Sequence, residues 1–211
     1  MIIVGISGPS STGKTTLARL VESNENSFNV PLHVSRDLKD VTWEDILATT
    51  KNFTQYDEIY ADKDYLLVFC HRVLSKYKDF IRKVRDEAPD ESVAIVDTTH
   101  LDLLIYTYLQ FWYHYPSFDV LTDLVTQIMQ MDGCLNHIYM TQAYDSMYDP
   151  LKSKTLRQRS ADFKRNRGLE LMTYELFSRL PSVTKLSYSS ETSLPMILRD
   201  LGERYGVIKD V

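Results

Sequence analysis

The run Gly8-Pro9-Ser10-Ser11-Thr12-Gly13-Lys14-Thr15 constrains this chain more than any other stretch. Its spacing is G-x-x-x-x-G-K-[ST], it follows the apolar segment Ile2-Ile3-Val4-Gly5-Ile6, and Thr15-Thr16-Leu17-Ala18-Arg19-Leu20 reads as a helix opening behind it. Each residue type has a physical reason. Glycines let the backbone close round a phosphate chain, successive N–H groups point inward, and the following helix offers its positive end. In this pattern Gly8, Ser10, Ser11, Thr12, Gly13, Lys14, Thr15 and Thr16 surround the phosphates. Lys14 reaches the β- and γ-phosphates, and the Thr15 hydroxyl is placed to ligate Mg²⁺. A plain glycine turn is the bland alternative, and the strand before it and helix after it argue against that.

Short apolar runs alternate with long helical ones along the rest of the chain, the rhythm of a parallel sheet covered on both faces. Strands are expected at Ile2–Ile6, Leu32–Ser35, Val93–Asp97, His137–Met140 and Thr184–Tyr188. Helices are expected at Lys14–Ser23, roughly Gln55–Glu87, Leu101–Tyr115, Phe118–Met131, roughly Thr155–Arg179 and Ser193–Tyr205. With the phosphate loop, this pattern implies an α/β chain of the P-loop NTPase class. The expected form is a three-layer α/β/α sandwich on a five-stranded parallel sheet, with a helical lid over about residues 148–168. A length of 211 residues suits one domain spanning 1–211. In such sheets ligands collect beyond the carboxyl ends of the strands, so the residues just after each strand carry the chemistry.

Three further stretches lie there or nearby. Val93-Ala94-Ile95-Val96-Asp97 runs four apolar residues into an aspartate, the pattern in which a carboxylate holds Mg²⁺ beside the phosphate loop. An Asp97 that merely caps the next helix would look the same. The residue after it is Thr98, not the glutamate that hydrolytic machines often use to activate water, which favours phosphate transfer to an acceptor. Thr98 and His100 are candidate acceptor contacts, with a turn or cap role as the plain reading of His100. Arg36 and Asp37 end the second strand, where Asp37 can take an acceptor proton or hold a sugar diol and Arg36 can face phosphate. The alternative there is a helix cap with a solvated ion pair.

From Lys152 to Arg167, seven basic residues meet one acid, in a chain whose formal charge is −5. Arg157 and Arg159 in this stretch are candidates to close over a transferring phosphoryl group from a mobile lid. The same negative total argues against a generic nucleic-acid binder, and no apolar stretch approaches the length of a membrane span. Cys70 and Cys134 stand singly, without metal-type spacing, as expected of reduced thiols in a cytoplasmic protein. The aromatic run from Tyr106 to Tyr115 and the tyrosines Tyr56, Tyr60 and Tyr65 are expected mainly in the core, with some faces left to line an acceptor pocket.

These motifs together resemble one family. The loop is similar to the G-x-S-S-x-G-K-[ST] of the ribosylnicotinamide-kinase branch of small P-loop kinases, the kinase domain of the bifunctional NAD-biosynthesis protein, and its AAA-type ATP-binding relatives. Asp97-Thr98 followed by the aromatic helix is similar to that branch's third strand end. Tyr148-Asp149-Pro150-Leu151 and the basic stretch stand where that branch has an aspartate-Gly-x-Arg lid. The resemblance implies a kinase using ATP and Mg²⁺ on the hydroxyl of a nucleoside-like acceptor, with room for a homodimer. Two rivals are carried alongside it. One is a virus-type kinase acting on a hydroxymethylated pyrimidine base in DNA, which the basic stretch favours and the acidic total opposes. The other is a regulatory P-loop ATPase. The absent Asn-Lys-x-Asp guanine-reading segment speaks against a GTPase switch.

Overall fold

A computed structural model describes residues 1–9, 12–35, 63–105, 107, 119–142, 161–187 and 189–209. The chain runs β1 (Ile2–Ser7), α1 (Lys14–Ser23), β2 (Leu32–Ser35), α2 (Lys63–Glu87) and β3 (Val93–Asp97). A helix α3 opens at residue 100 and is followed by α4 (Asp119–Met129), β4 (His137–Met140), α5 (Ala161–Phe177), β5 (Val183–Lys185) and α6 (Ser190–Tyr205). The five strands form one sheet in the order β2-β3-β1-β4-β5, and every pairing is parallel. The chain visits one side of β1 first and the other afterwards, so the order reverses at β1. Ile6 of β1 lies in register with Asp97 of β3, which brings the phosphate loop and that aspartate to the same edge.

Apolar continuity in β1 and β3 follows from burial on both faces. The two-residue period of a strand sends Ile3, Ala94 and Val96 to one side, where Val73, Leu74, Tyr77 and Ile81 of α2 and Leu124 and Ile128 of α4 cover them. Val4, Ile6, Val93 and Ile95 go to the other side, against Leu17, Ala18 and Val21 of α1 and Ile197 and Leu201 of α6. Each such aliphatic side chain contributes about 1.5–3 kcal/mol relative to exposure. A smaller cluster gathers Leu101 and Ile105 of α3, Ile138 and Met140 of β4 and Tyr174 of α5. No described helix is long and apolar enough to cross a membrane. Cys70 and Cys134 are not joined in a disulfide.

Several boundaries differ from those expected: β1 runs on to Ser7 rather than ending at Ile6, and α5 stops at Phe177 rather than at about Arg179. β5 is Val183–Lys185 rather than Thr184–Tyr188, because Val183 pairs with Ile138 and the chain turns away after Leu186, whose carbonyl accepts from the Gln142 amide. Tyr188 itself lies outside the described residues. α6 begins at Ser190, not Ser193, since the Ser189 hydroxyl accepts from the Thr192 amide and starts the helix a turn earlier despite Pro195 inside it. α4 ends at Met129 rather than Met131; Gln130 and Met131 form a turn, and a 3₁₀ turn over Asp132–Cys134 follows and leads to β4. The expected helical segments at 55–62 and 155–160 lie outside the described residues, as do Tyr56, Tyr60, Tyr106 and the aromatic run from Tyr108 to Tyr115.

Tyr77 buries its phenol in the α2 face with no hydrogen-bond partner among the described residues, and burial pushes its ionisation well above the ordinary tyrosine range. A buried hydroxyl without a partner costs about 1–3 kcal/mol. Tyr77→Phe is therefore expected to raise unfolding free energy by about 1 kcal/mol, read as a higher denaturant midpoint with unchanged slope. A drop of that size would mean the hydroxyl is satisfied after all.

Candidate functional site

Ser7 ends β1, and the chain must then pass close to β4. Gly8 has φ 140°, and a Cβ there would run into Thr141. Only glycine fits that approach. Gly13 has φ 85° and precedes the first turn of α1 without a side-chain cap or any acidic residue in that turn. Its amides and the helix dipole are thus presented outward, the arrangement that suits an anion. Thr12 secures the loop internally, donating to the Pro9 carbonyl at 2.7 Å and sharing a 2.6 Å hydrogen bond with the Thr141 hydroxyl. The turn after β5 reaches the same place, since a Cβ on Gly13 would stand 3.1 Å from the Ser190 hydroxyl.

Lys14 folds back over the loop. Its Nζ donates to the Gly8 carbonyl at 2.6 Å and the Pro9 carbonyl at 3.1 Å, and sits 3.8 Å from Asp102 Oδ1. On the other flank the Thr15 hydroxyl donates to Asp97 Oδ2 at 2.7 Å. Asp97 is 1% exposed, and its backbone N–H donates to the Ser35 hydroxyl at the end of β2. Two oxygen ligands meet here, a hydroxyl and a carboxylate, which is hard-donor chemistry suited to Mg²⁺. Among the described residues no group of three or more His, Cys, Asp or Glu gathers to hold a metal. A cation at this pair would take its remaining ligands from phosphate and water, as Mg²⁺ commonly does.

The alternative role for Asp97, capping α3, falls to another residue. Thr99 accepts from the Leu101 amide through its hydroxyl, and the Asp102 carboxylate reaches back to the Thr99 amide at 2.7 Å. That is a capping box over Thr99-His100-Leu101-Asp102, and it leaves Asp97 to face Thr15. Between them Thr98 holds φ 80°, a region that β-branched residues adopt only under strain. The strain sits next to the Thr15–Asp97 pair, where such outliers concentrate. Thr98 is 9% exposed. His100 is 1% exposed in the first turn of α3.

The structure therefore brings together Gly8, Thr12, Gly13, Lys14, Thr15 and Asp97, with Thr16 in the first turn of α1 and Thr98 and His100 just behind Asp97. Ser10, Ser11, Arg36, Asp37, Arg157 and Arg159 lie outside the described residues, as does the expected lid up to residue 160. Asp102 escaped the sequence reading. Its signal was present as T-x-x-D directly after a strand, the spacing of a capping box, but nothing local tells that the carboxylate also reaches the phosphate loop.

A cleft of about 500 Å³ opens beside the loop, lined by Pro9, Thr141, Gln142, Leu171, Met172 and Lys185; Pro9 of the loop borders it, while Thr15 and Asp97 do not.

No family model matches the sequence, and no curated protein matches it. Solved structures do match the fold. The chain is similar to the NadR protein in complex with NR, with TM-score 0.61 and 18% identity over all of this chain and 51% of that one. It is also similar to deoxyadenosine kinase from M. mycoides with bound dATP, with TM-score 0.63 and 10% identity over 96% of this chain and 100% of that one. Thymidylate kinase from Candida albicans matches with TM-score 0.56 and 11% identity over 99% and 95% of the two chains. The chain spans about half the length of the NadR protein and the full length of the deoxyadenosine kinase. What it shares with them is the fold, an α/β arrangement of the P-loop NTPase type on a five-stranded parallel sheet.

Proposed function

We propose that this chain is a kinase that transfers the γ-phosphate of MgATP to a hydroxyl of a nucleoside- or nucleotide-like acceptor. The observation that carries the reading is the Thr15 hydroxyl 2.7 Å from a buried Asp97, at the uncapped mouth of α1. The solved structures of similar fold support it, since they include a deoxyadenosine kinase and a thymidylate kinase.

The loop amides and the first turn of α1 bind the phosphate chain. Lys14 exchanges its contacts with the Gly8 and Pro9 carbonyls for phosphate oxygens, which holds the migrating group in line. Thr15 and Asp97 would hold Mg²⁺, whose chemistry there would be to neutralise phosphate charge. The missing acid at position 98 leaves water without an obvious activating base beside Asp97, which fits transfer better than hydrolysis. Asp37 is the candidate base or sugar anchor, with Arg36, Thr98 and His100 as candidate acceptor contacts, and Arg157 and Arg159 as candidate γ-phosphate contacts.

Labelled ATP offered with nucleosides, nucleoside monophosphates and hydroxymethylated DNA tests the reading directly. Label transferred to a free nucleoside or nucleotide supports it. Transfer only to DNA, with affinity falling steeply as salt rises, would shift the assignment to a base within a polymer. ATP hydrolysis without any acceptor requirement would replace the kinase by a regulatory ATPase.

A further inference from the structure

The Asp102 carboxylate has no part in the roles above, yet it is wholly buried and joins three elements. Its Oδ1 accepts from the Gly8 amide of the phosphate loop at 3.2 Å and from the Tyr174 hydroxyl of α5 at 2.6 Å. Its Oδ2 accepts from the Thr99 amide at 2.7 Å and the Thr99 hydroxyl at 3.1 Å. Lys14 Nζ stands 3.8 Å from the same Oδ1, its side chain 12% exposed. Buried carboxylates are tolerated only when several donors satisfy them. One oxygen therefore anchors the first amide of the loop and also attracts the loop's lysine.

A phosphate that takes Lys14 must compete with that carboxylate. The competition is easier when neutral donors keep Asp102 satisfied after the ammonium has moved away. Tyr174 is the shortest of these donors to Oδ1, and it reaches across from the helix into which the basic stretch 152–167 runs. From the end of that stretch to Tyr174 is about two helical turns.

We infer that Asp102 is a positioning residue of the phosphate loop and that Tyr174, through it, sets how readily Lys14 passes from carboxylate to phosphate. The pair thereby links α5 to the phosphate site. This rests on the nucleotide-binding reading given above.

A double-mutant cycle in nucleotide affinity tests it, using titration calorimetry with ATP on the full chain. Tyr174→Phe should weaken ATP binding about tenfold, the size expected for losing a hydrogen bond to a charged group. In a Lys14→Ala background the same change should alter affinity less than about twofold, because the lysine through which it acts is gone. An equal loss in both backgrounds, or no loss with Lys14 present, would overturn the inference. Fluorotyrosine at position 174 keeps the ring and hydroxyl and makes a stronger donor, so ATP affinity should hold or rise. A fall as large as that with phenylalanine would overturn it too, whatever Tyr174→Phe does to folding. Should the unaltered chain bind no ATP, the kinase reading and this one fall together. ATP binding without transfer to any acceptor would sink the kinase reading alone.

Discussion

Replacing Lys14 by alanine is expected to lower phosphate transfer from ATP by about 10³-fold or more, a loss of roughly 4 kcal/mol of transition-state stabilisation. Lys14 is the only cation whose position beside the loop is set by contacts within the described residues, with two loop carbonyls and a buried carboxylate around its Nζ. Charge gathers on the migrating group as the reaction proceeds, so an ammonium held at that point matters most in the transition state. The fold should persist. Removing the side chain gives up hydrogen bonds to two carbonyls and one ion pair at 3.8 Å, while Asp102 keeps its donors from Gly8, Thr99 and Tyr174. That amounts to about 1–2 kcal/mol, or a fall in Tm of a few degrees for a domain of this size. Steady-state transfer assays beside thermal melts separate the two effects. Near-normal turnover in the variant would remove the phosphate loop from the chemistry.

Asp97→Asn should lower transfer on the order of 10²-fold and move the Mg²⁺ concentration for half-activation upward. The substitution keeps the shape of the side chain and an oxygen that can still accept from Thr15, so the 2.7 Å contact across the loop survives in kind. Only the charge is lost. A carboxylate that serves merely to tie β3 to α1 would tolerate that change, and its Mg²⁺ midpoint would stay put. Activity titrated against Mg²⁺ at saturating ATP distinguishes the outcomes. Equal midpoints in the two proteins would take Asp97 out of the metal site.

Much of the architecture was legible because parallel strands buried on both faces leave a simple trace. Leu32–Ser35, Val93–Asp97, His137–Met140 and Lys14–Ser23 occur at the boundaries the apolar runs predict. The errors fall where local rules competed. α6 was expected from Ser193, and the Ser189 cap starts it three residues earlier. The edge strand β5 is only three residues long and the buried Leu186 follows it directly, so the apolar pattern ran on past the end of its pairing. Lys14, Thr15 and Asp97 drew attention by their types at fixed offsets from strand ends, and the structure brings Thr15 and Asp97 to one edge of the sheet. Thr98 gave no sign of its strained backbone, since φ depends on how β3 hands the chain to α3.

The order of residues 8–15 by itself carries the proposed ligand class, because a backbone that must wrap a phosphate chain admits few side chains at each step. Local composition likewise determined which segments became strands or helices. Only the packed chain decided that Thr15 and Asp97, 82 residues apart, would meet, since that depends on β1 and β3 being neighbours in register. It also decided that Asp102 would serve a helix cap, a loop amide, a lysine and a tyrosine of a distant helix at once. Local sequence can announce a cap, but a buried carboxylate acquires its other partners only when three elements close around it and shut out water.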